Sequence, residues 1–259
     1  MELLILFGTL FLLLLMGVPV AFCLGLSSLA TMMFLDIPVT VAFQRMAAGM
    51  NVFALMAIPF FIFTGELMNQ SGIAERLAHF AHGLLGRVRG GLGQVNVVSS
   101  MMFGAVSGSA VASASAIGPA LIPMMKKEGY DADYAVNITV TAATTGLLIP
   151  PSHNMIIYAI AAGGGISIAS LFLAGIVPGL LLGGALMAVA YLVAVKRGYP
   201  AGTFPGWRII LRSFFNVLPG MFSTLIILGG ILSGVFTATE SSAIAVIYTV
   251  LIATLVYRS

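Results

Sequence analysis

From residue 3 to residue 35 the chain carries no charged side chain. That apolar stretch is longer than the roughly 20 residues a membrane-crossing helix needs. Further apolar segments follow at 50–68, 134–161, 167–195, 214–235 and 241–257. Over all 259 residues only 7% are charged and 60% are hydrophobic, whereas soluble domains carry roughly 25% charged residues. A soluble fold of this size leaves much of itself facing outward and could not hide so much apolar surface. The chain is therefore expected to be an all-α polytopic membrane protein, with the lipid bilayer as its solvent.

The remaining composition narrows the chemistry. The net charge of +3 speaks to orientation in the membrane, not to nucleic acid, because Lys and Arg gather in cytoplasmic loops. Cys23 is the only cysteine, which excludes an intrachain disulfide and a thiolate metal cage. His79, His82 and His153 are not spaced with carboxylates as metal ligands are. The start, MELLILFGTLFLLLLMGVPV, has neither a basic leader nor a clear small-residue cleavage site. It is expected to be a retained first membrane segment.

Several segments are interrupted. The stretch 3–35 breaks at Gly17-Val18-Pro19 and ends at Asp36 and Pro38, so it is either one bent crossing or two short helices. Segment 50–68 holds Pro59, with Glu66 near its end, and a polar stretch from Asn69 to Arg89 follows. Segment 93–125 is uncharged throughout, yet its middle, SGSAVASASA (107–116), is small and polar. Segment 134–161 is interrupted by GLLIPPS (146–152). After 167–195 comes a loop with Pro200, Pro205, Trp207, Arg208 and Arg212, where Trp beside Arg suits a membrane surface.

Charge sets a topology. Arg87 and Arg89 precede 93–125, and Lys126 and Lys127 follow it. Both ends of the segment are then cytoplasmic by the positive-inside rule. Divided into two helical legs, it gives about 25 Å per leg at most, against a hydrocarbon core of ~30 Å. A re-entrant hairpin fits better than two crossings. Segments 134–161 and 167–195 then cross out and back, and the last two spans do the same. Arg45 is the exception, falling outside if 3–35 crosses once.

Two interruptions suit a transport site. At the hairpin tip, Gly104 and Gly108 permit close backbone approach, and Ser107, Ser109, Ser113 and Ser115 offer hydroxyls. Non-helical backbone at membrane depth must be buried in protein or line a watery cavity, and neutral hard oxygens suit a small cation. Gly104 and Gly108 equally form a G-x-x-x-G of the kind found at ordinary helix contacts. In GLLIPPS, two prolines remove two amide donors, which should leave the carbonyls of Gly146, Leu147 and Ile149 without partners. Broken helices of this kind bind ions and substrates in many secondary transporters, although a simple proline kink is the other reading. Among ionisable groups, Glu240 in TATESS reads as a helix start signal. Glu66 reads as interfacial, and His153 as either a proton carrier, a substrate donor or a structural hydrogen-bond donor.

Taken together, five stretches resemble the large membrane subunit of the tripartite ATP-independent periplasmic (TRAP) transporters. They are IPFFIFTGELMNQSGIAERL (58–77), FGAVSGSAVASASAIGPALIPMMKKEGYD (103–131), TGLLIPPSHNMIIYA (145–159), LFLAGIVPGLLLG (171–183) and GVFTATESSAIAVIY (234–248). The resemblance implies a sodium-coupled importer of organic acids in the bacterial inner membrane. It also implies two partners, a periplasmic substrate-binding protein and a small four-helix membrane subunit. An elevator-type secondary transporter built from inverted repeats is implied as well. By that resemblance, 1–92 would be scaffold, 93–165 the hairpin and broken helix of the first repeat, and 166–259 helices leading into the second. Ser107, Gly108, Ser109, Gly146, Ile149 and Pro150 would hold Na⁺. The substrate would lie within reach of Ser109, Thr145, Ser152 and Asn154. No cofactor is implied beyond the coupling ion.

One departure matters. Family members continue beyond the equivalent of residue 259 with a second hairpin and a second broken helix, so the chain looks like one repeat plus the start of the other. Two rival readings carry less. An intramembrane enzyme needs a nucleophile with a base, or a metal-bound water, and the sequence has no His–carboxylate pair. A proton-conducting or purely structural subunit is the other, and proton relays need a series of buried ionisable residues, which these spans nearly lack.

Overall fold

The computed structural model describes residues 1–163 and 165–257. Among them the chain forms twelve α-helices, and the described residues hold no named strand, only an isolated bridge between Arg89 and Ala201. It divides into two compact units, Met1–Val52 and the part from Phe53 onward.

In the first unit, α1 (Glu2–Leu15), α2 (Val20–Phe34) and α3 (Val39–Met50) follow in order. The apolar stretch 3–35 is thus two short helices, which pack on one another. The break has a local cause. Gly17 turns at a φ of +80°, and Pro19 and Pro38 stand as the caps before α2 and α3, where a missing N–H costs no helical hydrogen bond. At 14 and 15 residues, α1 and α2 are each about 21–23 Å long, short of a ~30 Å hydrocarbon core.

The second unit holds α4 (Ala57–Gln70), α5 (Ile73–Leu85), α6 (Gly91–Ser107) and α7 (Ala110–Lys127). After them come α8 (Ala132–Ala143), α9 (His153–Ala161), α10 (Ile168–Arg197), α11 (Trp207–Leu232) and α12 (Ala238–Leu251). Among the described residues, four helical stretches are long and apolar enough to cross a membrane: Phe53–Gln70, Ile168–Arg197, Trp207–Leu232 and Ala238–Tyr257. Outward-facing side chains on α10 and α11 include Leu173, Val177, Leu181, Leu192, Leu211 and Phe215, all more than half exposed. Such a surface needs lipid around it.

Two segments differ from the sequence reading. The polar stretch from Asn69 to Arg89 contains a full helix, α5, whose Ile73, Leu77 and Ala81 recur every four residues and are buried. Its polar face hid an apolar stripe. Trp207, Arg208 and Arg212 also lie inside a helix, because α11 begins at Trp207 rather than near 214. Glu240 does start a helix: it forms a capping box with Thr237, accepting the Thr237 N–H at 2.8 Å.

The packing centre is α6. Val95, Phe103 and Val106 meet Ile73 and Leu77 of α5, Ile117 and Leu121 of α7, and Val217 of α11. On its other side Leu92 and Val97 meet Tyr134 and Ile138 of α8 and Ala190 and Ala194 of α10. Three connections gather at one end. The Gly90 N–H donates to the Pro200 carbonyl at 3.0 Å, and the Gly202 N–H to the Gly86 carbonyl at 3.1 Å. Arg197 donates to Asp131 at 2.7 Å. The α6/α7 pair therefore starts and finishes at the same end of the bundle, beside the end of α10.

Candidate functional site

The turn between α6 and α7 is made by two residues. Gly108 closes α6 with a φ of +64°, its N–H donating to the Gly104 carbonyl at 2.7 Å. A left-handed residue at this position is the usual helix stop, and glycine takes it without steric cost. Ser109 is extended, and its Oγ accepts the Ala112 N–H at 3.3 Å, which starts α7. Stop and start signals thus fall side by side, and the chain reverses there.

The second interruption is equally local. After α8 the chain passes through a 3₁₀ turn, Thr144–Leu147, and is non-helical from Leu148 to Ser152. The N–H groups of Leu148 and Ile149 both go to the Thr145 carbonyl at 3.0 Å. Pro150 and Pro151 have no N–H to give. Among the described residues no backbone amide serves the carbonyls of Gly146, Ile149 or Pro150. Leu147 is a correction to expectation: its carbonyl accepts the Ser152 hydroxyl at 2.6 Å and is not free. Sequence alone shows that a proline run frees carbonyls, but not which side chain returns to satisfy one.

The fold brings the two interruptions into contact. A Cβ on Gly104 would lie 2.5 Å from the Gly146 Cα, and one on Gly146 would lie 3.0 Å from the Gly104 Cα and 3.5 Å from the Ser109 carbonyl oxygen. A Cβ on Gly108 would run into the Pro151 carbonyl. The two glycines facing one another are what lets α6 and the 3₁₀ turn touch backbone to backbone. The His153 N–H also points at the Gly108 carbonyl, at 3.5 Å. From the other side α4 closes in, where a Cβ on Gly65 would lie 2.9 Å from that of Ser107. Gly65 was missed in the sequence, although a glycine inside an apolar helix is the available signal.

The predicted residues number nine, because Ser109 serves in both sets, and the structure brings the hairpin and the break together. Ser107, Gly108, Thr145, Gly146, Pro150 and Ser152 are buried, and Ser109 and Ile149 are half-buried. Asn154 is exposed on α9. The Thr145 hydroxyl donates to the Ala142 carbonyl at 2.7 Å, and the Ser107 hydroxyl to the Ser109 carbonyl at 3.4 Å. Each of these oxygens keeps lone pairs to offer. The donor set is therefore neutral and all oxygen, without a carboxylate, and suits a hard cation of low charge more than a transition metal.

His153 is an ionisable side chain beside this set. It is 8% exposed, its ring stacks on Phe61 with centroids 6.3 Å apart, and its Nε2 has no hydrogen-bond partner among the described residues. Among the described residues no serine hydroxyl donates to it.

The sequence matches the family described as the tripartite ATP-independent periplasmic transporter, DctM component, over residues 7–259. It is 45% identical to the uncharacterized protein YgiK of Salmonella typhimurium, with 99% of this chain aligned to 59% of that one. It is 39% identical to the sialic acid TRAP transporter large permease protein SiaM of Vibrio cholerae, 94% of this chain covering 57% of the relative. It is 40% identical to the C4-dicarboxylate TRAP transporter large permease protein DctM of the same organism, 93% covering 53%. The chain thus spans little more than half the length of these curated relatives.

Proposed function

The chain belongs to the DctM-component family of tripartite ATP-independent periplasmic transporters, and from that premise we propose that it is the large permease part of a sodium-coupled secondary transporter importing organic acids. It sits in the bacterial inner membrane. A periplasmic binding protein delivers the substrate, and a small four-helix membrane subunit flanks the permease. The relatives whose names state a cargo transport sialic acid, C4-dicarboxylates or 2,3-diketo-L-gulonate. All of these are carboxylates or sugar acids, and this chain takes a cargo of that class.

One observation supports the reading most. The end of α6, next to the α6/α7 tip, and the 3₁₀ turn of the α8–α9 break are held in backbone contact through Gly104 and Gly146. Freed carbonyls at a broken helix suit a cation, and the start of a half-helix suits an anion. Na⁺ would supply positive charge between the two interruptions. The carbonyls of Gly146, Ile149 and Pro150 with the oxygens of Ser107 and Ser109, around the turn at Gly108, would hold it. The start of α9 and Ser109, Thr145, Ser152 and Asn154 would orient the carboxylate beside it. Residues 93–165 form the moving body of an elevator, the first of two inverted repeats, and 1–92 and 166–259 supply scaffold and the lead into the second.

The test is uptake of a labelled C4-dicarboxylate or sialic acid into proteoliposomes containing the permease and its partners. Uptake is expected to follow an imposed Na⁺ gradient. Uptake that is indifferent to that gradient overturns the coupling. Ser109→Ala is expected to raise the Na⁺ concentration needed for half-maximal uptake while leaving insertion intact, and an unchanged requirement removes the hairpin tip from the ion site.

A further inference from the structure

A cleft in the second unit lies away from the hairpin tip, between α5 and the first half of α11. It has a volume of about 310 Å³ and is lined by Arg76, His79, His82, Ser213 and Asn216, with Pro205 and Ile209 at its rim. Its polar lining consists of side chains that can donate hydrogen bonds. None of these five side chains has a hydrogen-bond partner among the described residues. Among the described residues Arg76 makes a cation–π contact alone, its guanidinium 4.4 Å from the centre of the Tyr257 ring, which leaves its N–H groups unspent. The helix period explains the convergence: Arg76, His79 and Gly83 share one face of α5, and Ile209, Ser213 and Asn216 share one face of α11. The acid closest in sequence, Glu75, lines an adjoining cleft with Ala78, His79 and Ala120.

Position says what kind of anion would come. At 26 residues, α11 is about 39 Å long and exceeds the ~30 Å hydrocarbon core. The excess of about 9 Å is about six residues, and with Trp207, Arg208 and Arg212 at this end the stretch Trp207–Arg212 stays at headgroup level, with Ser213 at its edge. Trp207 is 70% exposed, and Phe214 and Phe215, on the next turns of the same helix, are exposed at 39% and 64%. A cleft with a guanidinium at headgroup depth, on a helix that carries exposed aromatic side chains, is shaped for a phosphate with an acyl chain attached. Basic pockets between helices on the cytoplasmic side recognise anionic headgroups through the same chemistry.

We propose that the Arg76–His79–His82–Ser213–Asn216 cleft binds the phosphate of an anionic phospholipid headgroup. This site is separate from the transport site and does not depend on the cargo or on sodium coupling.

Trp207 is the chain's only tryptophan and stands two residues before Ile209 in the cleft rim, so its fluorescence reports occupancy. The full chain is reconstituted in phosphatidylcholine vesicles containing a minor fraction of brominated phosphatidylglycerol, or the same fraction of brominated phosphatidylcholine. Quenching by the anionic lipid is expected to exceed that by the neutral one. Loss of one cation in Arg76→Gln should reduce that preference roughly fivefold, and Arg76→Lys should retain most of it. An unchanged Trp207 spectrum in pure phosphatidylcholine checks that the variants are folded. Competition by inorganic phosphate in the buffer would identify soluble phosphate as the source of the same chemistry. Equal quenching by the two lipids without any response to phosphate, or a preference that survives Arg76→Gln undiminished, overturns the proposal.

Discussion

Gly104 and Gly146 meet with no room for a side chain on either. Adding a methyl group at Gly104 pushes against backbone at 2.5 Å, which cannot swing aside as a flexible side chain can. Gly104→Ala is therefore expected to destabilise the second unit by about 1–3 kcal/mol and to abolish uptake, read by thermal unfolding in detergent and by transport. Gly184 in α10 has nothing within 4 Å of its Cβ position. Gly184→Ala should leave stability unchanged or raise it by up to about 1 kcal/mol. The same substitution at two positions thus separates close approach from general sensitivity to glycine. The roles of Gly108, Ser109 and the prolines were legible in the sequence because each acts through its own backbone chemistry. The hydrogen bond from Ser152 to the Leu147 carbonyl was not legible, because it depends on how five residues curl together.

Asp131 sits in the α7–α8 connection, where the hydroxyl of Tyr199 and the guanidinium of Arg197 hold its carboxyl below the usual range. A depressed carboxylate pKa contributes stability above the unfolded value and loses it as pH falls through the folded one. The connection should therefore stay closed at neutral pH and open only below the ordinary Asp value of about 3.9. Asp131→Asn should open it at every pH. Hydrogen exchange of residues 128–135 reads both outcomes. Asp131 lies 66 residues before Arg197 and 68 before Tyr199, and so their network could not be read without the fold.

At the scale of elements, α5 is the one that polarity concealed. Arg76, His79, His82 and the flanking arginines dominate the reading of 69–89, but Ile73, Leu77 and Ala81 supply a buried stripe. Leu77 is fully buried between α5 and α6. Leu77→Ala is expected to cost about 2–5 kcal/mol in reversible unfolding, more than any substitution on the exposed side of the helix. At the start of α12, Thr237→Ala removes a side-chain cap on the Glu240 N–H and is expected to cost about 1 kcal/mol. The hairpin and the break were legible as elements because glycine, serine and proline runs inside uncharged segments have few other uses. The start of α11 was placed late, because Trp207, Arg208 and Arg212 look like a loop until the helix is seen to extend beyond the membrane core.

For the whole molecule, the account rests on one juxtaposition: two breaks in separate segments, 104–109 and 145–152, folded onto each other with neutral oxygens around them. Composition predicts the membrane and charge predicts which ends lie together, but neither predicts this contact. The direct test places a reporter at the tip without touching the proposed donors. Cys23 is the only native thiol, so Ala110→Cys in a Cys23→Ser background gives a single labelling position beside Ser109. With Na⁺ bound between the two breaks, maleimide labelling of this cysteine should slow several-fold relative to K⁺ at equal ionic strength, and Gly146→Ala should remove the difference. Labelling at the same rate in Na⁺ and K⁺ would contradict the assignment of the ion to this place.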